Sequence, residues 1–168
     1  GRAYSLVQEN RLVCYDGYVY RSASATVENN IAYRIFQMLQ ETVEPYEHLD
    51  LAILGEERKL GIKLAPEQKD AIKMALTSRF CIITGGPGTG KTAVQHALLD
   101  LYQAKYPDGQ IVCCAPTGQA AQKMKESSGI QASTIHKALC IKAREDGTLT
   151  EGVMLCADLI LVDEVSMM

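Results

Sequence analysis

The chain has 168 residues, 47% of them hydrophobic and 22% charged, the composition of a globular protein long enough to bury a core. Its formal net charge of -3 excludes a broadly basic nucleic-acid coat, so any grip on a phosphodiester backbone has to be local. No apolar run approaches the roughly 18 residues that suggest a membrane span, and none following Gly1-Arg2-Ala3-Tyr4-Ser5 reads as a secretory signal.

A cytoplasmic location is therefore the expectation, and the missing initiator Met suggests an excised or processed piece. Six cysteines, Cys14, Cys81, Cys113, Cys114, Cys140 and Cys156, lie mostly in apolar runs and form no C-x-x-C pair. That pattern argues against a zinc site or a disulfide framework and for reduced, buried thiols.

In chain order, Ala3 to Gln8 reads as the end of a helix. Leu12-Val13-Cys14-Tyr15 and Tyr18-Val19-Tyr20 flank Asp16-Gly17, the two-residue linker that favours a type I′ hairpin. The hairpin tyrosines could stack on bases, although cross-strand aromatic pairs commonly just stabilise a hairpin. From Thr26, as N-cap, the positions Val27, Ile31, Ile35, Met38 and Leu39 recur at helical spacing and predict an amphipathic helix packed on a neighbour. Residues 1–42 thus form a small helix-hairpin-helix region, winged-helix-like in outline. Residues 43–60 are read as a linker containing Pro45 and a short helix ending at Gly61, and residues 61–168 as the next domain.

Pro66 opens another helix, with Ala71, Ile72, Ala75 and Leu76 as its apolar stripe. Gln68 lies near its start. A lone glutamine is usually just solvated, but its amide carries one donor group and one acceptor, which matches the paired edge groups of adenine.

The central stretch is Gly85-Gly86-Pro87-Gly88-Thr89-Gly90-Lys91-Thr92, a match to G-x-x-x-x-G-K-[ST]. It follows the apolar run Phe80-Cys81-Ile82-Ile83, expected as a strand, and precedes the helix-like Ala93 to Leu99, the context in which the pattern has physical meaning. Glycines let successive N–H groups turn inward, and the following helix adds its positive end, so the loop can cradle polyphosphate oxygens. Lys91 would lie along the β and γ phosphates, and the Thr92 hydroxyl would help to hold Mg²⁺.

Ile111-Val112-Cys113-Cys114 is a second buried strand, after the turn Tyr106 to Gly109 and before Ala115-Pro116-Thr117-Gly118. Gln119 to Ser127 is a helix ended by Gly129, and Ser133-Thr134 caps one that holds His136. Ala143 to Gly152 is an exposed loop. The last strand, Leu159-Ile160-Leu161-Val162, runs into Asp163-Glu164. Two carboxylates after a strand, downstream of a phosphate loop, can divide the labour of hydrolysis. Asp163 would serve the metal shell, and Glu164 would deprotonate the attacking water.

Leu64 to Gln68, Gly85 to Thr92, Ala115-Pro116-Thr117-Gly118-Gln119-Ala120-Ala121, Thr134-Ile135-His136 and Asp163-Glu164-Val165-Ser166-Met167 stand in one order. Together they resemble the first motor domain of RecD-like DNA helicases, in the 5′-to-3′ branch of superfamily 1, from about residue 60 to the end. The hairpin and the helix bearing Glu28 are weakly similar to the region that precedes the motor in longer members.

The resemblance implies an α/β fold: a P-loop NTPase, RecA-like parallel sheet, truncated, with a small N-terminal α/β-hairpin region. It implies ATP bound by Gln68, Gly85, Gly86, Gly88, Thr89, Gly90, Lys91 and Thr92, Mg²⁺ held by Thr92 and Asp163, and catalysis by Lys91 and Glu164. Single-stranded DNA would be touched by Pro116, Thr117 and His136. By their residue types alone, Pro116-Thr117 could equally cap a strand and start a helix, and His136 could be an interior histidine; His48 and His96 carry no such role. Where the family usually has Arg after Pro-Thr-Gly, this chain has Gln119, which removes a charge-assisted contact or a structural salt bridge.

The resemblance further implies a second RecA-like domain of the parent chain as partner, no membrane, and other repair or recombination proteins of the exodeoxyribonuclease V alpha-subunit type. That second domain would supply arginines worth roughly 10³ to 10⁵ in rate, so this piece alone is expected to hydrolyse ATP slowly. In such sheets the strand between the phosphate-loop strand and the Asp-Glu strand comes later in sequence, so the sheet here is expected to be incomplete and to expose apolar edges. The helicase half of a conjugative relaxase and a non-catalytic nucleotide-dependent scaffold are the alternative functions.

Overall fold

The computed structural model describes residues 6, 7, 9 and 11–167. Leu6 and Val7 are helical, and the rest of the helix end expected over Ala3 to Gln8 lies outside the described residues. The described chain divides into two compact units, one formed by the chain up to Pro45 with Thr77–Ile82, the other by Tyr46–Leu76 with the chain from Ile83 onward.

In the first unit, β1 (Leu12–Tyr15) pairs antiparallel with β2 (Tyr18–Arg21), Tyr15 opposite Tyr18. The linker turns because both of its residues are left-handed, with φ of 49° at Asp16 and 79° at Gly17, the requirement of a type I′ turn. Helix α1 (Ser22–Gln40) starts a turn earlier than expected. Thr26 is not its N-cap: the Thr26 hydroxyl donates back to the Ser22 carbonyl at 2.9 Å, and the Ser22 N–H is already held by Arg11 O at 3.1 Å. The hairpin strand thus feeds the helix directly. The apolar spacing is present, but none of the helix residues is buried. Within the same unit Arg79 pairs with Glu41 at 3.4 Å.

The second unit is built on a parallel three-stranded sheet in the order β4-β3-β5, with β3 Ile111–Ala115, β4 Ala132–Thr134 and β5 Leu159–Val162. Its helices are α2 (Leu49–Leu60), α3 (Pro66–Thr77), α4 (Lys91–Lys105), α5 (Gly118–Ser128) and the single turn α6 (Ile135–Ala138). Helix α4 has two buried sides. One presents Val94, Ala97, Leu98 and Leu101 to Ile53 of α2 and to Ile72 and Leu76 of α3. The other presents Leu99 to Cys113 of β3 and Met124 of α5. Leu159 and Leu161 of β5 pack against both clusters.

Around this core the connections close as their residue types dictate. Gly61 ends α2 at φ 65°, and Gly129 ends α5 at φ 69°, the left-handed C-cap that favours glycine. Thr134 caps α6 by accepting the Lys137 N–H at 3.2 Å. Glu57 clamps the turn between α2 and α3, accepting the Leu64 N–H at 2.7 Å and the Lys69 ammonium at 2.8 Å. Both bonds hold the Glu57 carboxyl below its ordinary range, the Lys69 contact most.

Two expectations are corrected. Phe80 to Ile83 forms no strand, and Ile82 is 73% exposed. An extended run needs a ladder neighbour to satisfy its backbone groups, and none of the described strands pairs with these residues. Ile160 and Val162, on one face of β5, are exposed, and β5 is hydrogen-bonded only to β3 among the described strands. The cysteines are also only half as buried as expected: Cys113 and Cys114 are buried and Cys81 partly so, while Cys14, Cys140 and Cys156 are exposed; all six are free. Burial pushes the Cys113 thiol up to about 11, helped by neighbouring Cys114, so this thiol stays protonated and inert.

Candidate nucleotide site

The short connection from α4 to β3 returns the chain, so the start of α4 lies at the end of the unit where β3 finishes. Leu99 in mid-helix packs on Cys113 in mid-strand, as that antiparallel arrangement requires. Because β4 and β5 run parallel to β3, the residues after all three strands gather at this same end: Pro116-Thr117, Ile135-His136 and Asp163-Glu164. Open parallel sheets bind ligands at the carboxyl ends of their strands.

The phosphate loop is shaped by glycines that could not be replaced cheaply. Gly88 and Gly90 have φ of 74° and 80°, and a Cβ on Gly85 would come within 2.7 Å of Thr89 Oγ1. The Thr89 hydroxyl donates to Gly86 O at 2.9 Å and tightens the bend. Lys91 Nζ lies inside the curl, donating to Gly85 O at 2.7 Å and Gly86 O at 2.9 Å. Helix α4 begins at Lys91 with no side-chain cap. The N–H groups of its first turn are thus turned toward the loop with no side chain competing for them, the form of an anion site.

Gln68 is drawn to this loop by contacts the sequence did not suggest. Its Oε1 accepts the Ala65 N–H at 2.8 Å, the reach-back of a capping box across Pro66, and its Nε2 donates to Thr89 O at 2.8 Å. Both halves of the amide are engaged by the chain itself.

Asp163 follows β5 directly. Its N–H donates to Cys114 O at 3.0 Å, and its Oδ1 accepts the Glu164 N–H at 2.9 Å. The Glu164 backbone is left-handed, with φ of 53°. This is an uncommon conformation for a residue with a side chain, and strain of this kind concentrates at functional sites. No motif announces it.

Thr117 caps α5, its Oγ1 accepting the Ala120 N–H at 3.2 Å, and Pro116 is partly buried. His136 is exposed on α6 rather than interior. Gln119 is exposed in the first turn of α5. Thr92 is exposed, one residue into α4. Among the described residues no group of three or more His, Cys, Asp and Glu side chains could hold a metal by itself. A cation here would need phosphate oxygens in its shell, as Mg²⁺ bound through one carboxylate and a substrate normally has.

A parallel sheet with a glycine loop at the head of its central helix is a P-loop NTPase fold. Residues 68–168 match a family described as AAA domain. The chain is similar to the ATP-dependent RecD2 DNA helicase of Deinococcus radiodurans, 37% identical over 111 residues, which cover 62% of this chain and 14% of that protein. It is similar to the RecBCD enzyme subunit RecD of Haemophilus influenzae, 34% identical over 168 residues, 80% of this chain and 26% of the relative. The RecD subunit of Mycolicibacterium smegmatis is 33% identical over 124 residues, 60% of this chain and 22% of that one. The chain belongs to the AAA domain family and is RecD-like in sequence. It spans about a quarter or less of the length of these curated relatives. Among the described residues no helix is long and apolar enough to cross a membrane.

Proposed function

We propose that the chain is the ATP-binding motor domain of a RecD-like DNA helicase, which couples ATP hydrolysis to translocation on single-stranded DNA and duplex unwinding. The observation that carries this reading is the loop itself, an uncapped helix start with the Lys91 ammonium folded into its curl. Such an arrangement suits a polyphosphate, which would take over the Lys91 hydrogen bonds now made to Gly85 O and Gly86 O.

In this reading Gly85, Gly86, Gly88, Thr89 and Gly90 present backbone donors, and Lys91 neutralises the β and γ phosphates. Thr92 and Asp163 would hold Mg²⁺, which supplies charge neutralisation at the phosphates when bound. Glu164, exposed and held in a left-handed turn by its N–H bond to Asp163, accepts the proton of the attacking water. Pro116, Thr117 and His136, on the same end of the sheet, meet single-stranded DNA. Thr117 would do so chiefly through its backbone N–H, because its hydroxyl is committed to the α5 cap and its carbonyl accepts the Ala121 N–H at 3.0 Å. Arginines from a second RecA-like domain would complete the site. The division at residues 42, 60 and 61 and association with other repair or recombination proteins belong to the same proposal.

The test is ATP hydrolysis by the full-length parent protein with and without single-stranded DNA. Lys91→Ala should weaken ATP binding roughly 10- to 100-fold, the worth of a charge-assisted contact of about 1.5–3 kcal/mol. Glu164→Gln should bind ATP normally and lose about 10²- to 10⁴-fold in turnover, the usual contribution of a general base. Unchanged turnover in Glu164→Gln would remove it from the mechanism, and hydrolysis indifferent to DNA would count against the motor.

A further inference from the structure

We infer that Gln68 is a positioning residue for the phosphate loop, acting on phosphate binding through Thr89 in addition to any contact it makes with a base. The inference rests on the nucleotide-site reading and gives one of its residues a second task. Three observations carry it. The Gln68 Nε2 donates to the carbonyl of Thr89, inside the loop, at 2.8 Å. Its Oε1 is anchored on Ala65 N–H at 2.8 Å, so the donor is held at the rigid N-terminus of α3 and not on a free side chain. A Cβ placed on Gly90, at φ 80°, would come within 2.4 Å of the same Nε2, so the amide packs against the residue that leads into Lys91.

The tie fixes the peptide between Thr89 and Gly90. Turning that peptide would swing the Gly90 N–H, one of the donors a phosphate would meet, out of the loop. A planar amide clamped at both ends, by Ala65 N–H and Thr89 O, resists this turn. An adenine that engages the same amide must share or displace the Thr89 contact, so base and phosphate sites are coupled through one side chain.

Base reading and loop positioning separate with a ligand that has no base. Magnesium tripolyphosphate and ATP are to be titrated into the unaltered protein and into Gln68→Met, which keeps the length of the side chain and loses both hydrogen bonds. Loop positioning predicts that both ligands weaken in parallel, by about five- to tenfold, the worth of one net hydrogen bond. Loss confined to ATP, or no loss for either, would overturn the inference and leave the nucleotide site standing. Failure of the unaltered protein to bind either ligand would instead overturn the nucleotide site itself. If Gln68→Met is poorly folded, Gln68→Glu keeps the acceptor for Ala65 and replaces the Thr89 donor with a repelling oxygen. Its loss for tripolyphosphate should then shrink in acid as the new carboxyl protonates and regains a donor; a loss indifferent to pH would overturn the inference.

Discussion

At the residue scale, the acids of α2 and α4 show how neighbours set the sign of a charge's contribution. Glu56 and Lys59 of α2 face Asp100 of α4, with Lys59 Nζ 2.5 Å from Asp100 Oδ2 and 3.3 Å from Glu56 Oε1. Burial raises the Glu56 carboxyl, and the adjacent Asp100 raises it further. At Asp100 burial works in the same direction, but the hydrogen bonds from Lys59 and Glu56 outweigh it and the carboxyl is lowered. A lowered carboxyl contributes stability that is present above its unfolded value, about 4, and is lost as pH falls through the folded one. Asp100 and Glu57 therefore both weaken the fold in acid. A raised carboxyl contributes in the opposite sense, favouring the fold below its unfolded value and losing that contribution as pH rises through the folded one. Glu56→Gln should accordingly stabilise the protein near pH 7.5 and do so less near pH 4. Denaturant titration at the two pH values checks this, and destabilisation at both would show that Lys59 needs the Glu56 charge.

At the element scale, most local signals were read well where the chain is its own partner. Asp16-Gly17 demanded its turn, Gly61 and Gly129 their helix ends, Pro66 its helix start and Thr134 its cap, because each acts within a few residues. Thr117, expected at DNA by resemblance, is the α5 cap, its hydroxyl held by the Ala120 N–H and its carbonyl by the Ala121 N–H. Thr117→Ala should cost about 1 kcal/mol, measured by thermal melting, and a neutral result would mean that water replaces the hydroxyl. Helix α2, read as part of a linker, carries Ile53, 1% exposed at the centre of the larger cluster. Ile53→Ala should destabilise by about 2–5 kcal/mol. A loss under about 1 kcal/mol would show that α2 is peripheral after all. What failed at this scale were the Thr26 cap and the packed face of α1, which has no buried residue, and the strand at Phe80 to Ile83, since a strand's existence depends on residues far away that pair with it, and composition carries no word of them.

At the scale of the whole molecule, the unpaired edge of β5, the exposed Ile160 and Val162 on one of its faces, and the bare Ile82 are surfaces of the sort that invite association. The protein by itself should therefore self-associate with rising concentration, seen by light scattering, and Ile160→Lys should reduce the effect; a monomer at all concentrations would contradict it. The order and spacing of the motifs were enough to name the phosphate loop, the paired acids, the α/β class and the RecD-like resemblance, because each of those is written in neighbouring residues whose chemistry is local. Only the tertiary structure decided that Gln68 grips Thr89, that Glu164 sits in a left-handed turn, and that the run before the loop stays outside the sheet. The first and last of those outcomes depend on which groups far apart in the chain meet, and such hydrogen bonds exist only once the chain has folded; the turn at Glu164 depends on where β5 ends beside β3, with Asp163 N–H on Cys114 O.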